Sequence, residues 1–313
     1  LIKQCIYIFG LLFLSAILGI IVSITTNYFV SSVKWFLDLR TGNIAFFELH
    51  DFLFAPVLWL FLVVFILYYV RKICDISRWH GPSDAVYASH RTDNELDLKR
   101  GLGSTFAALV SLCGGAPVGQ YGPLVNFGAS IASFFSQITR IRLITPEILM
   151  SCGVAAAISA GFHAPIAGII FAHEAILRHF SLRALLPIAV SSTISAAFGS
   201  WAFGGTPLFS LKVGAPELMP LLPALFISGF VFGTVALIYM KMIFGFSSIP
   251  AKYKLGYLPF ALFAAAVTGV FGVFFPEILG LGVDIIFSFI TDDFSMAFII
   301  TLLGLKIFLT SLC

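Results

Sequence analysis

The 313-residue chain carries 11% charged and 59% hydrophobic residues, with a net charge of +3 and a mean hydropathy of +1.03. A soluble domain has about 25% charged residues, so the composition excludes a water-soluble globular fold. The basic residues form no long block, which excludes nucleic acid as a partner. The chain reads as an all-α, polytopic integral membrane protein whose surroundings are the lipid bilayer.

The first predicted element is the apolar run from Cys5 to Val33, and the second covers residues 52 to 73. Each reaches the roughly 20 residues that cross a bilayer, and a single interfacial helix does not fit such a series. Residues 71 to 100 are the main polar interruption. Arg71, Lys72, Arg78, Arg91, Lys99 and Arg100 stand there among five acids, which places the loop on the cytoplasmic side. Shorter helices follow at 83–90, 102–112, 123–138, 145–160 and 163–179, separated by Gly or Pro, and several are expected to end inside the membrane. Backbone that is not helical at that depth must be buried in protein or line an aqueous path.

Long helices return at 184–203 and 218–247. After Lys212 a second series begins: one helix to Met242, another from Leu255 to Phe275, a Gly-rich break "PEILGLGVD" at 276–284, and a helix from Met296 onward. We read residues 1–211 as a first inverted repeat and 212–313 as the start of a second. The chain begins at Leu1 and stops at Cys313 within an apolar run, so a fragment of a longer protein is expected.

The stretch "CGGAPVGQYGPLVNFGAS" (113–130) holds five glycines and two prolines and no Asp, Glu, Lys or Arg. In "GQYGP" a helix is expected to start at Pro123 or Leu124, because Pro at the first helical position sacrifices no hydrogen bond. Its unpaired amides and positive dipole end suit a small anion. The equally weighted alternative is that Gly and Pro merely permit close helix packing. "HGPSDAV" (80–86) offers a second break, with Ser83 as N-cap or anion-facing hydroxyl and Asp84 in the first turn. "AAAISAGFHAPIAGIIFAHEAILRHF" (155–180) offers a third, at Gly161 and Pro165. Its His163, His173 and Glu174 are pathway candidates, since ionisable groups in membranes are costly; pairing of Glu174 with Arg178 is the alternative.

Leu177 stands four residues after His173, so the two-histidine zinc face of a metalloprotease is absent, and no enzyme activity is expected. The five cysteines are isolated, and most lie in apolar runs. Neither a metal site, a disulfide framework nor an organic cofactor is expected.

In this order the motifs resemble the CLC family of chloride channels and chloride/proton exchangers. "GQYGPLVNFGA" is similar to the segment that begins "GREGP", "AAAISAGFHAPIAGIIFAHEA" to the family's "AAAFNAPLAGILFIIEE", and "HGPSDAV" to the glycine- and serine-rich motif ahead of them. "PEILGLGVDII" and "ITLLGLKIFLTSLC" look like later family segments. The resemblance implies the chloride-channel fold with inverted repeats and broken helices, a homodimer with one pore per subunit, and chloride or a similar small anion as ligand. The location it implies is the bacterial inner membrane.

The implied anion-binding set is Gly81, Pro82, Ser83, Gly119, Gln120, Tyr121, Gly122 and Pro123. Ser83 is preferred for the first motif, although another alignment puts the family's serine on His80. The gating glutamate falls on Tyr121, whose phenol, with a pKa near 10, stays neutral and carries no removable charge. It is left to donate a hydrogen bond to the anion or to close the path by bulk. The inner proton glutamate falls on Ala175. Both departures favour passive conduction, with proton-coupled exchange through His163, His173 or Glu174 as the alternative. The resemblance further implies a "GxFxP" segment and a tyrosine beyond Cys313 that complete the anion site.

Overall fold

The computed structural model describes residues 2–40, 55–91, 95–139, 145–204, 218–291 and 294–313. Among them every regular element is helical: α1 (Ile2–Arg40), α2 (Ala55–Ile73), α3 (Pro82–Ser89), α4 (Leu98–Cys113), α5 (Tyr121–Thr139), α6 (Pro146–Phe162), α7 (Pro165–Phe171), α8 (Leu182–Phe203), α9 (Leu218–Lys252), α10 (Tyr257–Phe274), α11 (Val283–Thr291) and α12 (Met296–Leu312). A π-helical segment, Ala172–Leu177, continues α7, and a 3₁₀ turn, Pro276–Ile278, follows α10. Five of the described helices, α1, α2, α8, α9 and α10, are long and apolar enough to cross a bilayer.

The chain forms two compact units, one of residues 1–38, 69–110 and 119–208 and one of residues 39–68, 111–118 and 209–313. The expected repeat boundary at 211/212 lies outside the described residues.

In the first unit α6 is the centre. It is buried from Leu149 to Gly161. Small residues allow its neighbours to approach: Gly128 of α5 and Gly153 of α6 face each other so closely that a Cβ on Gly128 would lie 2.4 Å from the Gly153 carbonyl oxygen. Serines of α8 tie α6 down on its other side. Ser191 Oγ donates to the Cys152 carbonyl at 3.0 Å and Ser195 Oγ to that of Ala156 at 2.7 Å, while Ser159 Oγ of α6 donates to the Ser192 carbonyl at 2.6 Å. Ser192 Oγ in turn donates to the Pro165 carbonyl at 2.8 Å, at the start of α7. These polar side chains in an otherwise apolar interface fasten a helix pair that ends inside the unit.

In the second unit α2 and α10 pack through Leu60, Val64 and Ala265 against Ala116. The expected break at 276–284 is present but tighter than a loop, and α11 starts directly behind it. Lys306 of α12 holds the break: its ammonium donates to the carbonyls of Ile278 at 2.7 Å and Gly280 at 2.6 Å. Gly280, in the left-handed region (φ 68), donates its N–H to the Gly115 carbonyl at 3.0 Å, at a turn that Gly115 (φ 92) makes directly behind α4.

Three element boundaries differ from expectation. α5 begins at Tyr121, with Gln120 as the cap whose carbonyl accepts from Leu124 N–H at 3.3 Å, and not at Pro123 or Leu124. Pro123 is tolerated at the third helical position because none of the first amides has an upstream carbonyl to bond. The run 163–179 is divided, since His163 takes the left-handed conformation (φ 54) and the π-helical segment replaces the last turn. α11 was not foreseen, because Gly280 and Gly282 masked the helix behind them.

The Gly128–Gly153 contact leaves no room for a methyl group. Gly128→Ala is expected to cost about 1–3 kcal/mol, read as a lower thermal unfolding midpoint of the detergent-solubilised protein; an unchanged midpoint would show that α5 and α6 can move apart freely.

Candidate functional site

The three sequence breaks that drew attention are arranged around the first turn of α5. α3 starts at Gly81, whose backbone is extended (φ −144°, ψ −168°), with Pro82 at the first helical position. A Cβ on Gly122 would lie 3.5 Å from Pro82 Cγ and Cδ, so the two motifs touch. The ring of Tyr121 reaches the end of α6: it stacks on Phe162 with centroids 3.7 Å apart and planes inclined by 21°. A Cβ on Gly161 would sit 3.1 Å from Tyr121 Cε1, and Gly161 thereby leaves space for that ring. Thr105 of α4 supports the turn from behind, its Oγ1 donating to the Gly101 carbonyl at 3.0 Å and to that of Pro123 at 3.4 Å.

The two helix starts differ electrostatically. At α3 the Gly81 N–H donates to Asp84 Oδ2 at 2.8 Å, and the other Asp84 oxygen pairs with Arg78. A carboxylate that is buried, with 7% exposure, thus already sits on the positive end of α3. His80 N–H is taken by Ser104 Oγ at 3.0 Å. Ser83 is exposed and gives no cap bond, so the cap on this helix comes from Asp84 and not from Ser83. α5 has no acid in its first turn. The amides of Tyr121 and Gly122 lack upstream helical carbonyls, and Pro123 contributes no N–H. The positive end of α5 is the one without a carboxylate.

Gly119 is exposed at the approach to α5, and Gln120 is buried beneath it. Beside α3 lies a cavity of about 750 Å³ lined by Arg78, His80, Asp84, Arg91, Lys99 and Arg100 among others. It opens within the polar segment that separates the first apolar runs from the rest.

The pathway candidates fall in two places. His163 caps α6 next to Phe162, and its Nδ1 is buried without a hydrogen-bond partner among the described residues. The left-handed backbone that this position adopts is one that His tolerates better than most residues. His173 lies on the π-helical segment, 7% exposed, with Nδ1 3.0 Å from the Ile169 carbonyl, the ring against Phe180 at 5.3 Å, and a buried Nε2 that meets no partner. Glu174 is exposed and forms no ion pair among the described residues. The alternative pairing with Arg178 fails because the π-helical register and the left-handed Arg178 (φ 58) take the two side chains out of the spacing that an α-helix gives.

Sequence reasoning missed Phe162, Ser104 and Thr105. Ser104 and Thr105 had a signal, since they are adjacent hydroxyls in an apolar helix. Phe162 had none, because one phenylalanine among 35 looks like any other.

The voltage gated chloride channel family model matches residues 60–313. The chain is 24% identical over 325 aligned positions to the H(+)/Cl(-) exchange transporter ClcA of Salmonella schwarzengrund, covering 97% of this chain and 66% of that protein. It is 25% identical to an uncharacterised protein of Methanocaldococcus jannaschii, covering 84% of this chain and 65% of the relative. The chain therefore spans a little under two thirds of the length of these relatives. Its fold matches the crystal structure of a CLC-type fluoride/proton antiporter with a TM-score of 0.78 at 20% identity, covering 97% of this chain and 76% of that one. It also matches that of a slow cyanobacterial Cl⁻/H⁺ antiporter with a TM-score of 0.79 at 18% identity, covering 97% and 73%.

Asp84→Ala removes the α3 cap and the partner of Arg78. It is expected to destabilise the protein by about 0.5–2 kcal/mol, whereas Ser83→Ala should stay within about 0.5 kcal/mol. Thermal unfolding of both variants checks this, and a larger effect at Ser83 would reverse the assignment of the cap.

Proposed function

The chain belongs to the voltage-gated chloride channel family, and on that premise we propose that it conducts chloride or a similar small anion passively across a bacterial inner membrane. The observation that carries this reading is the acid-free first turn of α5 beside Pro82, with a phenol, Tyr121, at the family's gate position. The anion-binding set is Gly119, Gln120, Tyr121, Gly122 and Pro123 with Pro82 beside them, since Asp84 and Ser104 already take the amides of Gly81 and His80. Amides and the α5 dipole supply the attraction, so the ion is drawn in without being trapped by a fixed cation. In this reading the protein works as a homodimer with one pathway per subunit, as the family resemblance implies. The two inverted repeats divide at 211/212.

Passive conduction is favoured over exchange because Tyr121 and Ala175 stand where proton-carrying glutamates stand in the family. The second reading is a proton-coupled exchanger, as the names of the relatives describe those proteins. One observation supports it: His173 and His163 each keep a buried ring nitrogen without a partner, as a relay imidazole needs.

Chloride efflux from liposomes holding the full-length protein, with internal pH recorded and the potential clamped by valinomycin and potassium, separates the two. Passive conduction is expected to release chloride with no proton movement; protons moved against their gradient would establish exchange. In the same assay Tyr121→Glu is expected to introduce a block relieved by acid, since a carboxylate competes with chloride only when ionised. Flux in that variant with the pH response of the wild type would remove Tyr121 from the pathway.

A further inference from the structure

We propose that Phe162 is the positioning residue that holds Tyr121 in its closed place, so that the gate is an aromatic pair opened by unstacking. This deepens the reading of Tyr121 as a gate and rests on it. A carboxylate gate is held in an anion path by charge and released by a proton. A neutral phenol has neither handle, which leaves packing and hydrogen bonding to place it. The structure shows that packing: the Tyr121 ring lies over Gly161, where a side chain would press on it at 3.1 Å, and stacks on Phe162 at 3.7 Å.

Phe162 is well placed for this. It is the last residue of α6, directly ahead of His163, whose left-handed backbone ends the helix and fixes where the Phe162 ring emerges. It is 38% exposed, so its ring is not committed to a core and one face serves Tyr121. Tyr121 is the first residue of α5. Opening requires the Tyr121 ring to swing off Phe162 and away from Gly161. Aromatic pairs in general shift a two-state equilibrium by about two- to tenfold, weak enough for thermal opening.

The test is chloride efflux from liposomes holding full-length wild type, Tyr121→Ala, Phe162→Ala, Phe162→Trp and the Tyr121→Ala/Phe162→Ala double variant. Phe162→Ala is expected to raise flux by about two- to tenfold. Phe162→Trp, which keeps an aromatic face, gives a smaller rise. In the Tyr121→Ala background Phe162→Ala adds nothing further, which a residue supporting the fold in general would not show. Equal factors in both backgrounds, or no rise with Phe162→Ala while Tyr121→Ala raises flux, would overturn the proposal and leave the gate reading intact. No change in any variant would overturn the gate reading, and the proposal with it. Should Phe162→Ala not elute as a single species, Phe162→Leu keeps the apolar volume without a stacking face and is read the same way.

Discussion

Hydrocarbon offers a peptide group no hydrogen-bond partner, and a chain that ends helices at membrane depth must supply those partners itself. That constraint accounts for several polar side chains in this apolar protein. Serines of α8 bond the backbone of α6 and α7, Lys306 of α12 takes up the carbonyls of the break at 276–282, and Asp84 and Ser104 take up the amides of Gly81 and His80. The bonds from Lys306, Asp84 and Ser104 reach backbone groups at helix breaks, whereas those from the α8 serines fasten α6 and α7 from the side. Nearly all of the conspicuous polar residues are thus structural in the first instance.

Against that background the first turn of α5 is an exception. Its amides face neither a carboxylate nor an upstream carbonyl, and its residues touch Pro82 on one side and Gly161 and Phe162 on the other. A helix end left without its own acid is where a small anion gains most from a dipole in a low-dielectric setting. α3 illustrates the contrast, since Asp84 has already answered its dipole from within the protein. The two motifs look alike in sequence, but in the fold one is capped and the other is open.

The histidines show how an ambiguous signal divides. His163 and His173 were candidates only because ionisable groups are rare in such helices. The structure puts His163 at the end of α6 beside the aromatic pair and His173 on a π-helical turn against Phe180, both with a buried nitrogen to spare. Glu174, which looked equivalent to them, points to the surface. The difference arises from backbone register, because a π-helical turn rotates successive side chains by less than an α-helical turn does.

By itself the sequence determined the fold class, the position of nearly every helix, and the family, because run length, Gly and Pro placement and motif order are local properties of the chain. It located the breaks and named Tyr121 as the residue at issue. What only the tertiary structure decided was which helix end stays open and what the Tyr121 ring rests on. Whether Asp84 caps its own helix, where α5 begins relative to Pro123, and whether one Phe162 among 35 phenylalanines meets one tyrosine 41 positions away all depend on how helices distant in sequence are brought side by side. Local propensity carries no information about such contacts, and they are settled by the close approach that Gly128, Gly153 and Gly161 permit.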